Sequence, residues 1–290
     1  MNGIIIVNKE KGYTSRDIVN KICNIYNTRK VGHTGTLDPI AEGVLIVCLN
    51  KALKVAEFIT AADKEYIAMF DLGYETDTLD ITGKKIKESN IKVTKEELEE
   101  TIKQFKGTIK QTVPIYSAIK VKGKKLYEYA RKNQDVELPS RTVKIFDIDL
   151  LDFNYQKQTA TIKVHVSKGT YIRSLISDIG IKLNTYATMT NLIRTKQGNI
   201  DIKLSSTIKE IEENKHKVYR IKEILNMPTI SVNNDELLTK IKNGCEVNLN
   251  TNEEMILILD EYDNEIAIYQ KNKDRYKILK MIDNIINKNA

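Results

Sequence analysis

The sequence has few of the residues that would indicate a metal centre, a disulfide framework or a membrane anchor. Its three cysteines (Cys23, Cys48 and Cys245) are scattered over 290 residues and form no Cys-x-x-Cys pair, which disfavours structural zinc and disulfides. No apolar run approaches the roughly 20 residues that a membrane span requires. The N-terminus also lacks the flanks and the apolar length of a signal peptide. We therefore expect a cytoplasmic protein without a metal.

The charge of the chain is distributed unevenly. The 290 residues carry a net charge of +7, and 41% are hydrophobic, enough for a packed core. Residues 228–290 contain 8 Lys/Arg and 11 Asp/Glu, which leaves 38 and 28 in residues 1–227 and a net charge of +10 there. The basic part favours a polyanionic partner such as nucleic acid. Charge alone leaves open a merely solvated lysine-rich surface.

Hydrophobic patterns divide the chain into two parts. Alternating or continuous apolar residues predict strands at Ile4–Val7, Val44–Leu49, Tyr66–Leu72, Thr142–Phe153 and Thr159–Val166. From about Pro228, short strands are predicted around an Asn243-Gly244 turn and an Asp263-Asn264 turn. The pattern predicts a mixed α+β domain over residues 1–227 and a small β-rich domain over 228–290.

Capping signals predict the starts of three helices. Thr14 or Ser15 precedes apolar residues at helical spacing, and Thr94 with Glu97 forms a capping box, with Gly107 expected to close that helix. Thr170 is expected to cap a helix that bears Tyr171 and Arg173. A fourth helical segment is expected at 51–61 without such a signal.

The stretch GHTGTLDP, residues 32–39, indicates a loop of defined shape that carries one carboxylate, Asp38. It lacks the Gly-Lys-Ser/Thr ending of a phosphate-binding loop. His33 and Asp38 have no neighbouring acidic or histidine partners for a metal, and no second carboxylate stands out for glycosidase chemistry. A nucleophilic aspartate with an arginine partner, for which Arg173 is the candidate, remains possible. From spacing alone, a simple turn residue is the favoured interpretation.

The segment from Gln111 to Ser140 interleaves tyrosines with lysines and arginines. QTVPIYSAIKVKGKKLYEYARKN contains Tyr116, Tyr127 and Tyr129 among six basic residues, and Arg141 lies just beyond. Aromatic rings between cations suit a surface that binds nucleic acid. We interpret residues 111–140 as a thumb-like insertion.

Taken together, six segments resemble the bacterial tRNA pseudouridine synthase B family, which isomerises the uridine at position 55 in the T loop. They follow the family's order and cover most of residues 1–200. The segments are VNKEKGYTSRDIV, GHTGTLDPIAEGVLIVCLNKALKVAEFI, KEYIAMFDLGYETDTLDITG, QTVPIYSAIKVKGKKLYEYAR, SKGTYIRSLISDIG and NLIRTKQGNI. The resemblance implies a mixed, largely antiparallel sheet flanked by helices, with the thumb-like insertion and a small C-terminal domain of the PUA type.

The resemblance also implies the roles of the chemical groups. Asp38 would be the nucleophile, and Arg173 would pair with its carboxylate. Tyr66 would stack on the target base and place its hydroxyl to help remove the C5 proton. Attack of Asp38 at C1′ of the ribose or at C6 of the base stays open.

Four further residues would bind the substrate or support the pocket. Tyr171 would line the pocket, Leu192 would help wall in the base, and His33 would contact the flipped-out RNA. Lys9 matches a supportive family lysine near the pocket.

The implied reaction detaches uracil from C1′, turns it and rejoins it through C5, and it needs no redox change, phosphate donor or metal. We therefore expect no cofactor. The expected partner is the T arm of tRNA, with no membrane, no obligate protein partner and a monomeric enzyme. The target base has to leave its stack, which costs a few kcal/mol.

The chain departs from the family at three positions, and two rival functions stay open. Glu10 stands at a usual proline, Ile193 at a frequent arginine, and His165 at a common cysteine, where we expect core packing. One rival is a relative that acts on ribosomal or guide-directed RNA, although the basic tails usual in such proteins are lacking. The other is a tRNA chaperone without catalysis.

Overall fold

The computed structural model describes residues 2–283 of the chain. The strands are, in chain order, β1 (Gly3–Lys9), β2 (Val31–His33), β3 (Glu42–Leu49), β4 (Lys64–Leu72), β5 (Tyr74–Thr76), β6 (Lys85–Glu88), β7 (Gly107–Thr112), β8 (Lys120–Val121), β9 (Lys124–Lys125), β10 (Ser140–Asn154), β11 (Thr159–Val166), β12 (Ala187–Gln197), β13 (Ile200–Asp201), β14 (Val218–Tyr219), β15 (Thr229–Val232), β16 (Met255–Asp260), β17 (Glu265–Asn272) and β18 (Arg275–Met281).

Eight α-helices accompany these strands within residues 2–283. They are α1 (Ser15–Ile25), α2 (Ala56–Ala61), α3 (Lys95–Lys103), α4 (Leu126–Arg131), α5 (Ile172–Lys182), α6 (Ile208–Glu212), α7 (Ile221–Leu225) and α8 (Asp235–Lys242). Short 3₁₀ helices occupy Asn50–Val55 and Ile202–Leu204. In this described part of the chain, no helix combines the length and the apolar character that crossing a membrane would demand.

The described residues divide into two compact units. The first takes in residues 2–39, 43–61 and 199–283, and the second takes in 40–42 and 62–198. In the first unit, β1 lies between β14 and β3 and is antiparallel to both, with Ile4 opposite Cys48 and Ile5 opposite Val47. The residues of β1 on both faces are buried, which explains its continuous apolar sequence.

The C-terminal strands of the first unit form a second sheet in the order β15-β16-β17-β18. One face, with Leu257, Leu259 and Ile268, belongs to the same buried cluster as Ile4 and Ile6 of β1. The other face packs with α8 in a cluster of its own. The sheet begins close to the predicted boundary near residue 228. The assignment of 228–290 as a PUA-like domain stays a prediction.

The second unit contains an antiparallel sheet in the order β12-β4-β11-β10-β7. β4 alternates between buried and less buried residues, with Tyr66, Ala68 and Phe70 on the buried face. This confirms the strand that was predicted from the alternation. Both units therefore combine antiparallel strands with helices, as expected for an α+β fold.

Two of the predicted caps are confirmed. Thr14 and Asp17 form a capping box at the start of α1, and Thr94 and Glu97 form one at the start of α3. The Asp263-Asn264 turn also joins two antiparallel strands, β16 and β17.

Three local predictions are wrong. α3 ends at Lys103 and Gly107 begins β7. α5 has Tyr171 as its N-cap, because the Thr170 hydroxyl instead donates to the carbonyl of Ser167 at 2.9 Å. Asn243 and Gly244 end α8 rather than join two strands. The left-handed glycine (φ 74°) that suits a hairpin turn equally suits the end of a helix.

Candidate active site

The loop that carries Asp38 is fixed on both sides of this residue within the first unit. The Leu37 N–H donates to Ser15 Oγ at 2.9 Å, and the same hydroxyl lies 3.2 Å from the Leu37 carbonyl oxygen. On the other side, the Pro39 carbonyl accepts from the N–H of Gly12 at 2.8 Å. Because both neighbours are held, the backbone of the half-buried Asp38 has a defined direction. The Asp38 carboxylate is therefore carried on a backbone of fixed position.

Lys9 supports this loop from the interior. Its side chain has no exposure to solvent. Its ammonium donates to the carbonyls of Tyr13 at 2.7 Å, Glu10 at 3.0 Å and Pro39 at 3.4 Å. Three carbonyl acceptors offset the cost of burying the charge. The role beside the pocket that the resemblance implies for Lys9 stays a prediction.

His33 is the last residue of β2 and lies opposite Val47 of β3. Its ring is half-buried, and Nδ1 accepts from the N–H of Gly35 at 3.3 Å. A neutral ring that accepts at Nδ1 carries its proton on Nε2. His33 therefore has a donor at the ring position opposite the loop contact.

Tyr66 and Leu192 share the buried face of the sheet in the second unit. Leu192 of β12 lies opposite Ala68 of β4, and Arg194 lies opposite Tyr66. Tyr66 is 8% exposed and Leu192 is 6% exposed. Diagonal neighbours on such a strand pair are about 7 Å apart, so the phenol and the leucine side chain can wall one small planar group.

Two buried cations accompany this face. Arg194 is 1% exposed, and burial lowers the pKa of Lys64 to about 8, with the charge of Arg194 as the next cause. Lys64 and Tyr66 are on the same face of β4. The sequence did not single out either cation, because each sits in an otherwise ordinary strand pattern.

Arg173 is buried in the first turn of α5 and contacts two distant segments. Its Nη1 donates to the Thr78 carbonyl and its Nη2 to the Tyr116 carbonyl, both at 3.1 Å. Its guanidinium also lies 3.9 Å from the carboxylate of Asp80, and both side chains are almost fully buried. The guanidinium is therefore held in one plane by groups of the second unit.

Asp80 is a functional candidate that sequence reasoning missed. It lies in the loop between β5 and β6, where Leu79 has a positive φ of 62°. Its Oδ1 accepts from the Thr82 N–H at 3.0 Å and from the Thr78 hydroxyl at 2.9 Å. These donors and the Arg173 guanidinium 3.9 Å away hold the carboxylate in one orientation. The available signal was the repeated Thr/Asp pattern of TDTLDITG.

The backbone of Tyr171 is held by a buried glutamine that was also missed. The Tyr171 N–H donates to Gln111 Oε1 at 2.7 Å, and Gln111 Nε2 donates to the Tyr171 carbonyl at 3.0 Å. The half-buried ring of Tyr171 has the guanidinium of Arg141 over it, at 5.2 Å from the centroid. This cation–π contact stabilises the ring in its position, and the pocket-lining role of Tyr171 stays a prediction.

The predicted thumb-like insertion pairs its tyrosines with its cations. Lys125 and Arg131 lie over the ring of Tyr127 at 5.4 and 5.3 Å, and Lys124 lies over Tyr129 at 5.9 Å. These side chains extend from the short β8–β9 hairpin and α4. The structure thus brings basic and aromatic groups of this segment together, and the assignment of residues 111–140 as a thumb-like insertion stays a prediction.

The expectation that His165 packs in the core is wrong. Its side chain is 39% exposed, and its Nε2 is hydrogen-bonded to the carboxylate of Asp63. Its ring also lies 4.8 Å from the ring of Phe146. β11 directs this residue to the more exposed face of the sheet, since its neighbours Val164 and Val166 occupy the buried one.

Comparisons with known proteins agree with this fold and these segments. The family model for the N-terminal domain of the TruB family pseudouridylate synthases matches residues 23–172. The chain is 55% identical over 202 residues to a tRNA pseudouridine synthase B from Fusobacterium nucleatum, covering 70% of each chain. It is 42% identical over 266 residues to one from Caldanaerobacter subterraneus, covering 91% of this chain and 92% of the relative.

A solved structure with a similar fold is that of a Cbf5-Nop10-Gar1 complex. The TM-score is 0.73 at 24% identity, over 97% of this chain and 84% of the other. The fold is therefore that of a pseudouridine synthase, which confirms the predicted fold class. The chain belongs to the TruB family of pseudouridylate synthases. This confirms the predicted class of enzyme, an isomerase that converts uridine to pseudouridine.

Proposed function

We propose that the chain is a tRNA pseudouridine(55) synthase, which isomerises the uridine at position 55 in the T loop of tRNA. Its relatives from Fusobacterium and Caldanaerobacter carry the name tRNA pseudouridine synthase B. The observation that carries the proposal is the loop at Asp38, where one carboxylate sits between two backbone groups held by Ser15 and Gly12. The proposed isomerisation needs one nucleophile, and a carboxylate on a fixed loop can serve as that nucleophile.

In the proposed mechanism, Asp38 attacks the target nucleotide and the bond between C1′ and N1 of uracil breaks. The base turns and C5 bonds to C1′, which displaces Asp38 from C1′ if it attacked there; if Asp38 added to C6, its bond to C6 breaks after the new bond has formed. The C5 proton leaves and N1 takes up a proton, so the product is an isomer of the uridine. Attack at C1′ and initial addition at C6 both lead to this product. Tyr66 stacks on the base, and its hydroxyl helps to remove the C5 proton. Arg173 is proposed to pair with the Asp38 carboxylate and keep it ionised.

The proposed substrate contacts are of two kinds, residues that enclose the target base and residues that bind the rest of the RNA. Tyr171 and Leu192 enclose the base, His33 contacts the flipped-out strand, and Lys9 supports the loop. The insertion of residues 111–140 grips the T arm through its lysines and its tyrosine rings. We propose that the enzyme acts in the cytoplasm as a monomer, without a cofactor or an obligate protein partner.

The experiment that tests this function uses unmodified tRNA transcript. The protein is incubated with the transcript, and pseudouridine is mapped by carbodiimide treatment and primer extension. We expect one stop at the T-loop uridine, and a transcript with cytidine at that position as control should show none. Product at other positions alone would favour an enzyme for another RNA, and tight binding without product would favour the tRNA chaperone.

A further inference from the structure

A single buried side chain connects the base of the insertion to the start of α5. Gln111 is the first residue of the insertion, and its side chain has no exposure. It makes two hydrogen bonds to the backbone of Tyr171, at 2.7 and 3.0 Å. Because one bond uses the N–H of Tyr171 and the other its carbonyl, the two bonds fix the peptide groups on both sides of the Tyr171 Cα.

A second contact lies one residue further along β7 and three residues further along the chain at α5. The hydroxyl of Ser174 in α5 donates to the carbonyl of Thr112 at 2.9 Å. Gln111 and Thr112 are the last two residues of β7. The first turn of α5 is therefore joined at two points to the strand from which the insertion departs.

Arg173 lies between these two points and contacts the insertion further along. Its Nη2 donates to the carbonyl of Tyr116, five residues beyond Gln111. Any shift of the insertion relative to α5 would therefore move an acceptor of the Arg173 guanidinium. The contacts of Gln111 and Ser174 restrain that shift at the end of β7, where the insertion begins.

We propose that Gln111 is a positioning residue for the isomerase. It aligns Tyr171 and Arg173 with the insertion, so that an RNA held by the insertion meets a correctly placed guanidinium. This inference rests on the proposed function, since it uses the roles proposed there for Tyr171, Arg173 and the insertion. An uncharged amide is suited to the task because it donates and accepts at once.

The test compares Gln111→Met with Gln134→Met. Methionine keeps the length and bulk of glutamine but removes both hydrogen bonds, while Gln134 is an exposed residue of the same insertion. We expect the single-turnover rate of Gln111→Met on tRNA to fall by about tenfold or more, because a small misplacement of a positioned group is costly. The affinity for tRNA should stay within about twofold of the control.

Three results would overturn the inference. One is a single-turnover rate equal to that of Gln134→Met in a folded Gln111→Met variant. Another is a loss of affinity with an unchanged rate. The third is a fall of the single-turnover rate and of the affinity for tRNA, both in proportion to the folded fraction measured by circular dichroism. That result would mean that Gln111 has a purely structural role.

A second variant decides the case if Gln111→Met does not fold. Ser174→Ala removes only the bond to Thr112, and we expect a smaller fall in rate with intact affinity. A wild-type rate in Ser174→Ala would then overturn the inference. Failure of the wild-type protein to form pseudouridine in tRNA would instead count against the proposed function, so the two failures are distinguishable.

Discussion

The loop that carries Asp38 is fixed by residues 22 to 30 positions away in the sequence, whereas the buried Arg173 is fixed by segments 57 to 95 positions away. Ser15 and Lys9 reach the loop across 22 and 30 positions. The carbonyls that hold Arg173 belong to Thr78 and Tyr116, at separations of 95 and 57 positions. The loop is held through its backbone by neutral groups and one lysine, and Arg173 is held through its own charged head.

This difference predicts how each of the two regions responds to a single substitution. A backbone held by several separate hydrogen bonds loses only one of them when one partner is substituted. When the carboxylate beside a buried guanidinium is removed, the positive charge is left uncompensated in the interior, which lowers the free energy of unfolding strongly. The Arg173 region should therefore be the more sensitive of the two to a single substitution.

The largest expected effect on stability comes from Asp80→Asn. It removes the carboxylate 3.9 Å from Arg173 while keeping the size of the side chain. We expect the free energy of unfolding to fall by about 3 kcal/mol and the isomerisation rate to fall as well. Urea denaturation should be compared with Asp152→Asn, an exposed position on β10. Equal stability of the two variants would show that Asp80 does not compensate Arg173.

A smaller effect is expected for Ser15→Ala on the loop side. The substitution leaves the Leu37 N–H without its acceptor at a buried position. We expect a loss of about 1–2 kcal/mol in the free energy of unfolding and a moderate fall in rate. Ser231→Ala, on an exposed part of β15, is the matched control. A loss larger than that of Asp80→Asn would reverse the comparison between the two regions.

The smallest effect is expected for Lys124→Gln in the insertion, because it touches neither Asp38 nor Arg173. Removing one phosphate-binding charge should weaken tRNA binding and reduce the slope of log affinity against log salt by about 1. The single-turnover rate at saturating enzyme should not change. The control is Lys277→Gln, an exposed lysine of the acidic C-terminal region. Identical salt slopes for the two variants would argue against RNA binding by the insertion.

Local patterns in the sequence predict most of what is local in the structure. The capping boxes at Thr14 and Thr94 depend on residues three positions apart, and the alternation of β4 depends on one strand. The loop at Asp38 stood out because glycines and a proline interrupt every periodic pattern. The Asn243-Gly244 turn was misread because the same pair fits a hairpin and a helix end.

The parts of the site that could not be predicted depend on long-range contacts. Gln111 was interpreted only as the first residue of the insertion, and no local pattern indicates its bonds to Tyr171, 60 positions away. Asp80 is one of several acidic residues in its segment, and only the burial of Arg173 distinguishes it. The resemblance to a family supplied the roles of Tyr66, Tyr171 and Leu192, which no local pattern would have assigned.

The central claim is that Asp38 is the nucleophile, and Asp38→Asn tests it most directly. The variant keeps the size of the side chain and removes its negative charge, with Asp152→Asn as the matched control. Isomerisation of T-loop uridine in a tRNA transcript is measured under single-turnover conditions, together with the affinity for tRNA. We predict that the rate falls by at least about a thousandfold while the affinity stays within about twofold of the control. A rate close to that of Asp152→Asn would contradict the account.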